Sequence, residues 1–265
     1  LKNIQIGNYE VSFSFIGYKT TIKNAVVKEN MTDTLIVNLE ESLTGLSEVT
    51  VQATRPISAA SSKEIQTIDM QLKPFRTSQD MLLMVPGLYI AQHQGGGKAE
   101  QIYLRGFDCD HGTDVSINVD GMPVNMVTHA HGQGYADLHF LISETVDEME
   151  VNKGPYLATL GDFYTAGAVN FKTKDILEDN LIKVEAGQFN TQKYTLMLQP
   201  ENGGMEQNGY LAMQYHHSDG PFVSPENFER MNIFGKYFFQ LTPKSKLTFS
   251  ASGFATAWNA SGQIP

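Results

Sequence analysis

Gln101-Ile-Tyr-Leu-Arg-Gly-Phe107, Val119-Asp-Gly-Met-Pro-Val-Asn125 and Val151-Asn-Lys-Gly-Pro155 decide the fold of this 265-residue chain. Each is a short β-prone run that meets glycine or proline, where the backbone must bend. In the second, Asp120-Gly121 is a two-residue hairpin signal, because both residue types tolerate positive φ. Pro123-Val124 starts the return strand. Upstream, Thr77 or Ser78 caps a short helix through Met84, with Leu82, Leu83 and Val85 on its apolar side and Pro86-Gly87 as its stop. Leu88 to Ala91 reads as a strand, and Gln92 to Lys98, with three consecutive glycines, as a mobile loop. That loop lacks the Lys-Ser/Thr that completes a phosphate-binding P-loop. Further on, Ser143 to Val146 turns the chain into Met149-Glu150-Val151.

Composition narrows the classes. Hydrophobic residues make up 41% and charged residues 18%, with 23 Gly and 15 Phe, which suits β-structure with many turns. No apolar run approaches the ~20 residues a membrane-spanning helix needs, so any bilayer crossing must use strands. A net charge of −10 argues against nucleic acid as a partner. Cys109 is the only cysteine, so no intrachain disulfide forms and the redox compartment is unreadable. The chain opens on Leu1 inside a strand-like segment and reads as a fragment of a longer protein.

Both ends alternate with period two. Near the start, Tyr9, Val11, Phe13 and Phe15 oppose Glu10, Ser12 and Ser14; Gly17-Tyr18-Lys19 turns, and a strand follows over 34–39. Past Lys174, Ile182, Val184 and Ala186 oppose Lys183 and Glu185. Tyr194, Leu196 and Leu198 oppose Lys193, Thr195 and Gln199, and Leu211, Met213 and Tyr215 oppose Ala212, Gln214 and His216. Two longer runs follow, with Met231, Ile233, Tyr237, Phe239 and Leu241 against Asn232, Lys236 and Gln240, then Leu247, Phe249, Ala251 and Ala255 against Lys246, Thr248, Ser250 and Ser252. Such dyads over ~9–11 residues meet the requirement of a membrane β-barrel. Thr242-Pro-Lys-Ser245 is a tight turn and 216–230 a long loop. Barrels keep long loops outside the cell, which assigns His216 and His217 to the outer mouth. The short connection at Phe189 to Thr191 breaks that pattern.

Taken in order, these segments resemble the plug domain and first barrel strands of TonB-dependent outer-membrane receptors. Gly7-Asn8-Tyr9-Glu10-Val11 with Ile16-Gly17-Tyr18-Lys19 resembles the end of a carboxypeptidase-regulatory-like β-sandwich. The implied organisation is mainly β: a sandwich remnant (1–41), a linker with a Ton box (42–62), a mixed α+β plug (63–176) and five strands of an incomplete antiparallel transmembrane barrel (177–265). The resemblance implies a barrel of about twenty-two strands in all. Glu48, Val49, Thr50, Val51, Gln52 and Ala53 match the acidic-then-valine style of the Ton box. A lone extended segment on a tether suits strand addition to a partner's sheet edge. An ordinary edge strand of the preceding sandwich is the alternative.

Four of the seven histidines, His111, His129, His131 and His139, fall within one short window beside Asp108, Asp110, Asp114 and Asp137. His129 and His131 at i and i+2 share a face if extended, and imidazole with carboxylate accepts zinc, copper or iron. The candidate ligand or metal residues are therefore Asp108, Asp110, His111, His129, His131 and His139. The alternative is that polar groups here satisfy the backbone of buried loops. Arg105 and Gly106 read as structural, with Arg105 pairing to Asp147, Glu148 or Glu150. No nucleophile elbow or catalytic carboxylate pair stands out, so the chain reads as no enzyme.

The resemblance implies energised uptake of a scarce nutrient, such as an iron chelate, metal, vitamin or glycan. The plug would gate the barrel in the outer membrane, amid its lipid, with the N-terminal domain in the periplasm and TonB capturing the Ton box. No cofactor is required, save a metal ion if the His/Asp cluster holds one. A metal-dependent enzyme using that cluster, or a signalling receptor of the same architecture, are the alternatives.

Overall fold

The computed structural model describes residues 7–13, 21–28, 36–39, 61–73, 75–92, 95–109, 114–130, 132–200 and 207–260. The chain divides into two compact units, Leu1–Arg55 and Pro56–Pro265. In the first, strand β1 (Gly7–Phe13) pairs antiparallel with β2 (Thr21–Val27), in register from Gly7↔Val27 to Phe13↔Thr21. β2 is a partner strand that the sequence pattern did not disclose. The expected strand over 34–39 is not formed at residues 36–39, its described part.

The second unit begins with β3 (Ser61–Gln66) and a single-turn helix α1 (Thr67–Gln71). The helix expected from Ser78 to Met84 is a 3-10 helix, Ser78–Met84. Its first turn is held by the Asp80 carboxylate, which accepts from the backbone N–H of Arg76 at 2.9 Å and of Thr77 at 3.3 Å. β4 (Leu88–Ala91), β5 (Gln101–Leu104) and β6 (Phe107–Cys109) form a three-stranded antiparallel sheet. The β5–β6 hairpin turns on Arg105 (φ 53°) and Gly106 (φ 84°), a left-handed pair that matches the right-handed twist of its strands.

β7 (Val115–Val119) and β8 (Met122–Pro123) make the hairpin expected at Asp120-Gly121, with φ of 50° and 78°. β9 (Val146–Lys153) and β10 (Gly167–Thr173) complete a mixed sheet in the order β3-β9-β10-β7-β8, in which β10 runs parallel to β7 and antiparallel to β9. Ile65, Met81, Leu82, Ile102, Leu104, Ile117, Met149, Val151 and Phe171 share one apolar core that joins both sheets to the 3-10 helix. Val115, Ser116 and Ile117 are buried in succession, so β7 is covered on both faces.

The last five strands form a simple meander, β11 (Leu181–Gly187), β12 (Thr191–Leu198), β13 (Gln207–Ser218), β14 (Phe228–Thr242) and β15 (Ser245–Ala257). β13 to β15 are long enough to cross a bilayer, whereas β11 and β12, at 7 and 8 residues, are not. The long loop is shorter than expected. β13 and β14 stay paired from Gln207↔Phe239 to Ser218↔Phe228, which places His216 and His217 in a strand and leaves 219–227 as the connection. The tight turn at 188–190 lies at the same end, since Asp219 donates its N–H to the Phe189 carbonyl at 2.9 Å.

This wall is inside out for a water-soluble sheet. Over β12 to β14 its polar face is covered, with Lys193, Thr195, Gln214, Arg230, Asn232 and Lys236 all buried, whereas β15 is exposed on both faces. Its apolar face is bare, with Ile182 78%, Val184 67%, Met231 59% and Phe249 58% exposed. Apolar burial drives soluble folding at roughly 25 cal/mol per Å², so a row of uncovered aliphatic and aromatic side chains calls for lipid on that side.

Candidate functional site: the seam between plug and wall

The buried polar face of the wall meets the 61–176 region along three polar contacts. In the first, Glu144, on the turn into β9, reaches Lys183 at 3.1 Å and Lys193 at 3.6 Å, and accepts from Gln214 Nε2 at 3.0 Å. Glu185 adds a second carboxylate, 3.3 Å from Lys193 and 3.1 Å from Lys183, and Lys193 Nζ also donates to the Phe75 carbonyl at 3.2 Å. Burial alone would raise the Glu144 pKa, but Lys193 and then Lys183 outweigh it and hold the carboxyl below its ordinary value.

The second contact is built on the Asp120 hairpin. Asp120 accepts from Thr173 N–H at 2.8 Å and from its hydroxyl at 2.6 Å, which ties the hairpin tip to the end of β10. The buried Lys236 ammonium of β14 then reaches Asp175 at 2.9 Å, Asp120 at 3.5 Å and the Thr173 carbonyl at 3.0 Å. Lys246 of β15 also pairs with Asp175. Burial pushes Asp175 upward, and the hydrogen bonds from Lys246 and Lys236 more than reverse it, so its pKa is lowered.

The third contact surrounds His139, which is fully buried. Its Nδ1 lies 2.6 Å from Asp137 Oδ1 and its Nε2 lies 2.8 Å from the Gly96 carbonyl. Asn232 Nδ2 of β14 donates to the His139 carbonyl at 2.6 Å. Gly96 belongs to the triple-glycine loop, whose described residues 95–97 pack under the wall. A Cβ built on Gly97 would lie 2.0 Å from Trp258 Cε3, so only glycine lets the indole lie flat there. This corrects the expectation of a mobile loop for residues 95–98. Glu100, on the neighbouring stretch, is pushed up to about 7 by burial and by Asp80, against the opposing pull of His139 and Arg76.

The anticipated His/Asp cluster fares differently residue by residue. Asp108 lies in β6, paired with Tyr103, and only its backbone is described. His129 is exposed and stacks on Tyr135, with centroids 4.1 Å apart and planes within 8°. The ring nitrogens of His139 are engaged within the protein by Asp137, the Gly96 carbonyl and the Gln79 amide. Among the described residues no three His, Cys, Asp or Glu side chains converge as metal ligands. Asp110, His111 and His131 lie outside the described residues, as do Glu48, Val49, Thr50, Val51, Gln52 and Ala53.

Arg105 is exposed, and among the described residues it pairs with none of Asp147, Glu148 and Glu150. Those carboxylates have other partners, since Asp147 accepts from Thr67, Glu148 lies 3.8 Å from Lys172, and Glu150 accepts from Asn152 at 3.0 Å. Arg105 acts instead through its backbone, with its N–H donating to the Gly87 carbonyl at 3.0 Å at the turn. Sequence reasoning missed Glu144, Lys193, Asp175, Lys236 and Trp258. The available signal was lysine recurring on the polar face of strands whose other face is apolar.

A mixed α+β body seated against the polar face of an antiparallel wall, with apolar side chains on the wall's far side, defines a plugged membrane β-barrel fold. Residues 57–168 match the family model described as TonB-dependent Receptor Plug Domain. The chain is 28% identical over 117 residues to the Vitamin B12 transporter BtuB of Vibrio vulnificus (strain YJ016), which covers 44% of this chain and 17% of that protein. Among solved structures, the ferric yersiniabactin uptake receptor FyuA from Yersinia pestis aligns with a TM-score of 0.58 at 18% identity, over 74% of this chain and 32% of that one. A variant of the ferric enterobactin receptor PfeA from Pseudomonas aeruginosa, in complex with enterobactin, aligns at 0.57 and 19% identity, over 74% and 33%. The siderophore receptor PirA from Acinetobacter baumannii aligns at 0.54 and 17% identity, over 73% and 31%. At these identities the likeness establishes the fold, and the chain spans about a third of the solved receptors it matches.

Proposed function

We propose that the protein to which this chain belongs is an outer-membrane receptor that takes up a scarce small-molecule nutrient, with energy delivered through TonB. One observation carries the reading: the wall buries its lysines, arginine and amides against the plug while presenting its aliphatic and aromatic side chains outward. A plug bound by such a polar seam can block a pore and still be displaced. The relatives' names add transport of vitamin B12 and siderophores for those proteins, so a metal chelate or corrinoid-like cargo is the class to test first. Residues 48–53 are the proposed TonB-binding segment, acting by strand addition on the periplasmic side. Residues 1–41 are proposed as the end of a carboxypeptidase-regulatory-like domain on the same side.

The test uses the full-length receptor in cells that depend on it for a labelled cargo. Deleting 48–53 should abolish uptake while leaving cargo binding at the cell surface intact. Uptake that survives the deletion refutes the coupling role.

A further inference from the structure

A groove of about 770 Å³ lies on the bare face of the wall, within the ~300–1,000 Å³ of small-molecule sites. The register explains its shape. Leu198, Leu211, Gly235 and Ala251 stand opposite one another on four adjacent strands, and Gly209, Tyr237 and Phe249 form the next row on the same face. The floor is therefore backbone and small side chains, and the banks are leucines and aromatic rings. Tyr237 lies across Gly209, where an added Cβ would come 2.6 Å from Tyr237 Cδ2. The Phe239 ring sits 4.9 Å from that of Tyr237 and 6.4 Å from that of Phe249, which makes the bank nearer the 242–245 turn an aromatic ridge.

Gly235 is the informative residue. Glycine inside a strand weakens it and marks a bulge, a bend or the close approach of something else. Pairing runs unbroken through Gly235 on both sides, and its φ is not positive. A Cβ there would meet nothing closer than 3.9 Å, so no neighbour forbids a side chain either. Backbone and packing leave this glycine unexplained, and close approach by a ligand is the reading that remains.

The lining says what kind of ligand. Tyr210, Lys236 and Ser250 reach the groove only from the row that faces the plug. There Lys236 is held by Asp175, and Tyr210 packs with Ile142 and Met197. Gln199 is turned away, its Oε1 accepting from the Leu177 N–H at 2.7 Å. The backbone groups of the floor are committed to the strand ladders. Apart from the Tyr237 hydroxyl, what faces the groove is hydrocarbon, and a polar ligand would lose its hydrogen bonds there.

We propose that this groove seats one acyl chain of a phospholipid. It is continuous with the bare face that calls for lipid, and an unfilled groove forfeits dispersion contacts along its whole lining. Loop lengths put the 242–245 end on the periplasmic side, whose leaflet is phospholipid and not lipopolysaccharide. The inference rests on the reading of the wall as lipid-facing and adds a fixed seat on it.

Full-length receptor is extracted from membranes, exchanged exhaustively into detergent and weighed by native mass spectrometry. One phospholipid per chain should survive the exchange, and Gly235→Leu, which fills the groove, should lower its occupancy at least about tenfold. Should that variant not fold, Ala251→Leu fills the same floor from the neighbouring strand. Location is read in nanodiscs holding phosphatidylethanolamine with a diazirine midway along one acyl chain. Relative to Ile182, Val184 and Met231 on the open face, labelling of Leu211, Tyr237 and Phe249 should fall in the filled variant. Lipid A carrying the same group should show no such difference. Equal phospholipid retention in parent and folded variant overturns the proposal. So does a groove left unlabelled while the open face reacts, the mark of a second copy or another protein seated there. If Ile182, Val184 and Met231 also go unlabelled, the lipid-facing reading of the wall has failed, and the seat with it.

Discussion

Replacing Glu144 with Gln breaks the most heavily connected contact between plug and wall while keeping its shape. Glu144 faces Lys183 and Lys193, whose side chains are 40% and 5% exposed. The loss therefore falls mainly on Lys193, which keeps Glu185 at 3.3 Å and the Phe75 carbonyl at 3.2 Å. Truncating one partner of a buried pair costs ~3–5 kcal/mol, and the surviving contacts place this case at the low end, about 3 kcal/mol. That is roughly a hundredfold in a local opening equilibrium. Amide exchange in the full-length protein reads it directly. The N–H groups of Thr145, bonded to Ile142, and of Lys174, bonded to Thr145, close the turn that carries Glu144. Both should exchange roughly a hundredfold faster in Glu144→Gln. A double-mutant cycle with Lys193→Met isolates the pair. Coupling below about 0.5 kcal/mol would show that the seam is held by something other than charge.

The remaining tests concern pH and packing. Glu144 and Asp175 have lowered pKa values in the folded protein, so their stabilisation is present above the ordinary carboxylate range and is lost as pH falls through their folded values. Acid unfolding monitored by circular dichroism should move to higher pH in Glu144→Gln. Glu100 has the opposite sign: its pKa is raised to about 7, so the folded state binds the extra proton and stability falls as pH climbs from about 4.5 to 7. Glu100→Gln should therefore raise Tm at pH 8, by the equivalent of about 3 kcal/mol, and leave it unchanged at pH 4; an equal shift at both values would rule out the titration. Gly97→Ala forces a Cβ into the Trp258 ring, at an overpacking cost of ~1–3 kcal/mol. Gly97→Ala should cost far less in a Trp258→Ala background, and an undiminished cost there would contradict the contact.

The elements that came out of the sequence intact are those set by local rules. Asp120-Gly121 had to turn because the pair accepts left-handed backbone, and the wall strands had to pair because one face of each is apolar and the other polar. The site was less legible, because its residues meet only through pairing of distant segments. Glu144 contacts Lys183 and Lys193 from 39 and 49 positions away, and nothing around Ser143-Glu144-Thr145 marks the acid as special. The histidine window misled for a related reason. Proximity in sequence made His129 and His139 look like co-ligands, but His139 is turned into the seam by Asp137 and Gly96, while His129 lies outside on Tyr135. Arg105 misled through its charge, when what its position demanded was a left-handed turn residue.

Under the proposed uptake function a plug has both to seal and to yield, and a polar seam suits that double demand. Apolar contact is non-directional and loses strength only as area is exposed, so a greasy plug would slide without a defined seat and would resist removal along its whole surface. Hydrogen bonds and ion pairs act otherwise. Each contributes only ~0.5–1.5 kcal/mol net when made, because water can take its place, yet costs ~1–3 kcal/mol when a partner is buried and missing. Wrong seatings of Asp120, Glu144 and His139 are thus penalised heavily, while the correct one can be released contact by contact as water enters. Lys236 shows the arrangement at its most economical. It joins the hairpin tip through Asp120, the end of β10 through the Thr173 carbonyl and the connection to the wall through Asp175. Lys236→Met should accordingly loosen all three together: amide exchange at Asp120, whose N–H donates to Phe171, and at Thr173, whose N–H donates to Asp120, should accelerate by a common factor. Unequal factors at the two amides would mean that the hairpin and the β10 end are held independently, and that no single ammonium unites them.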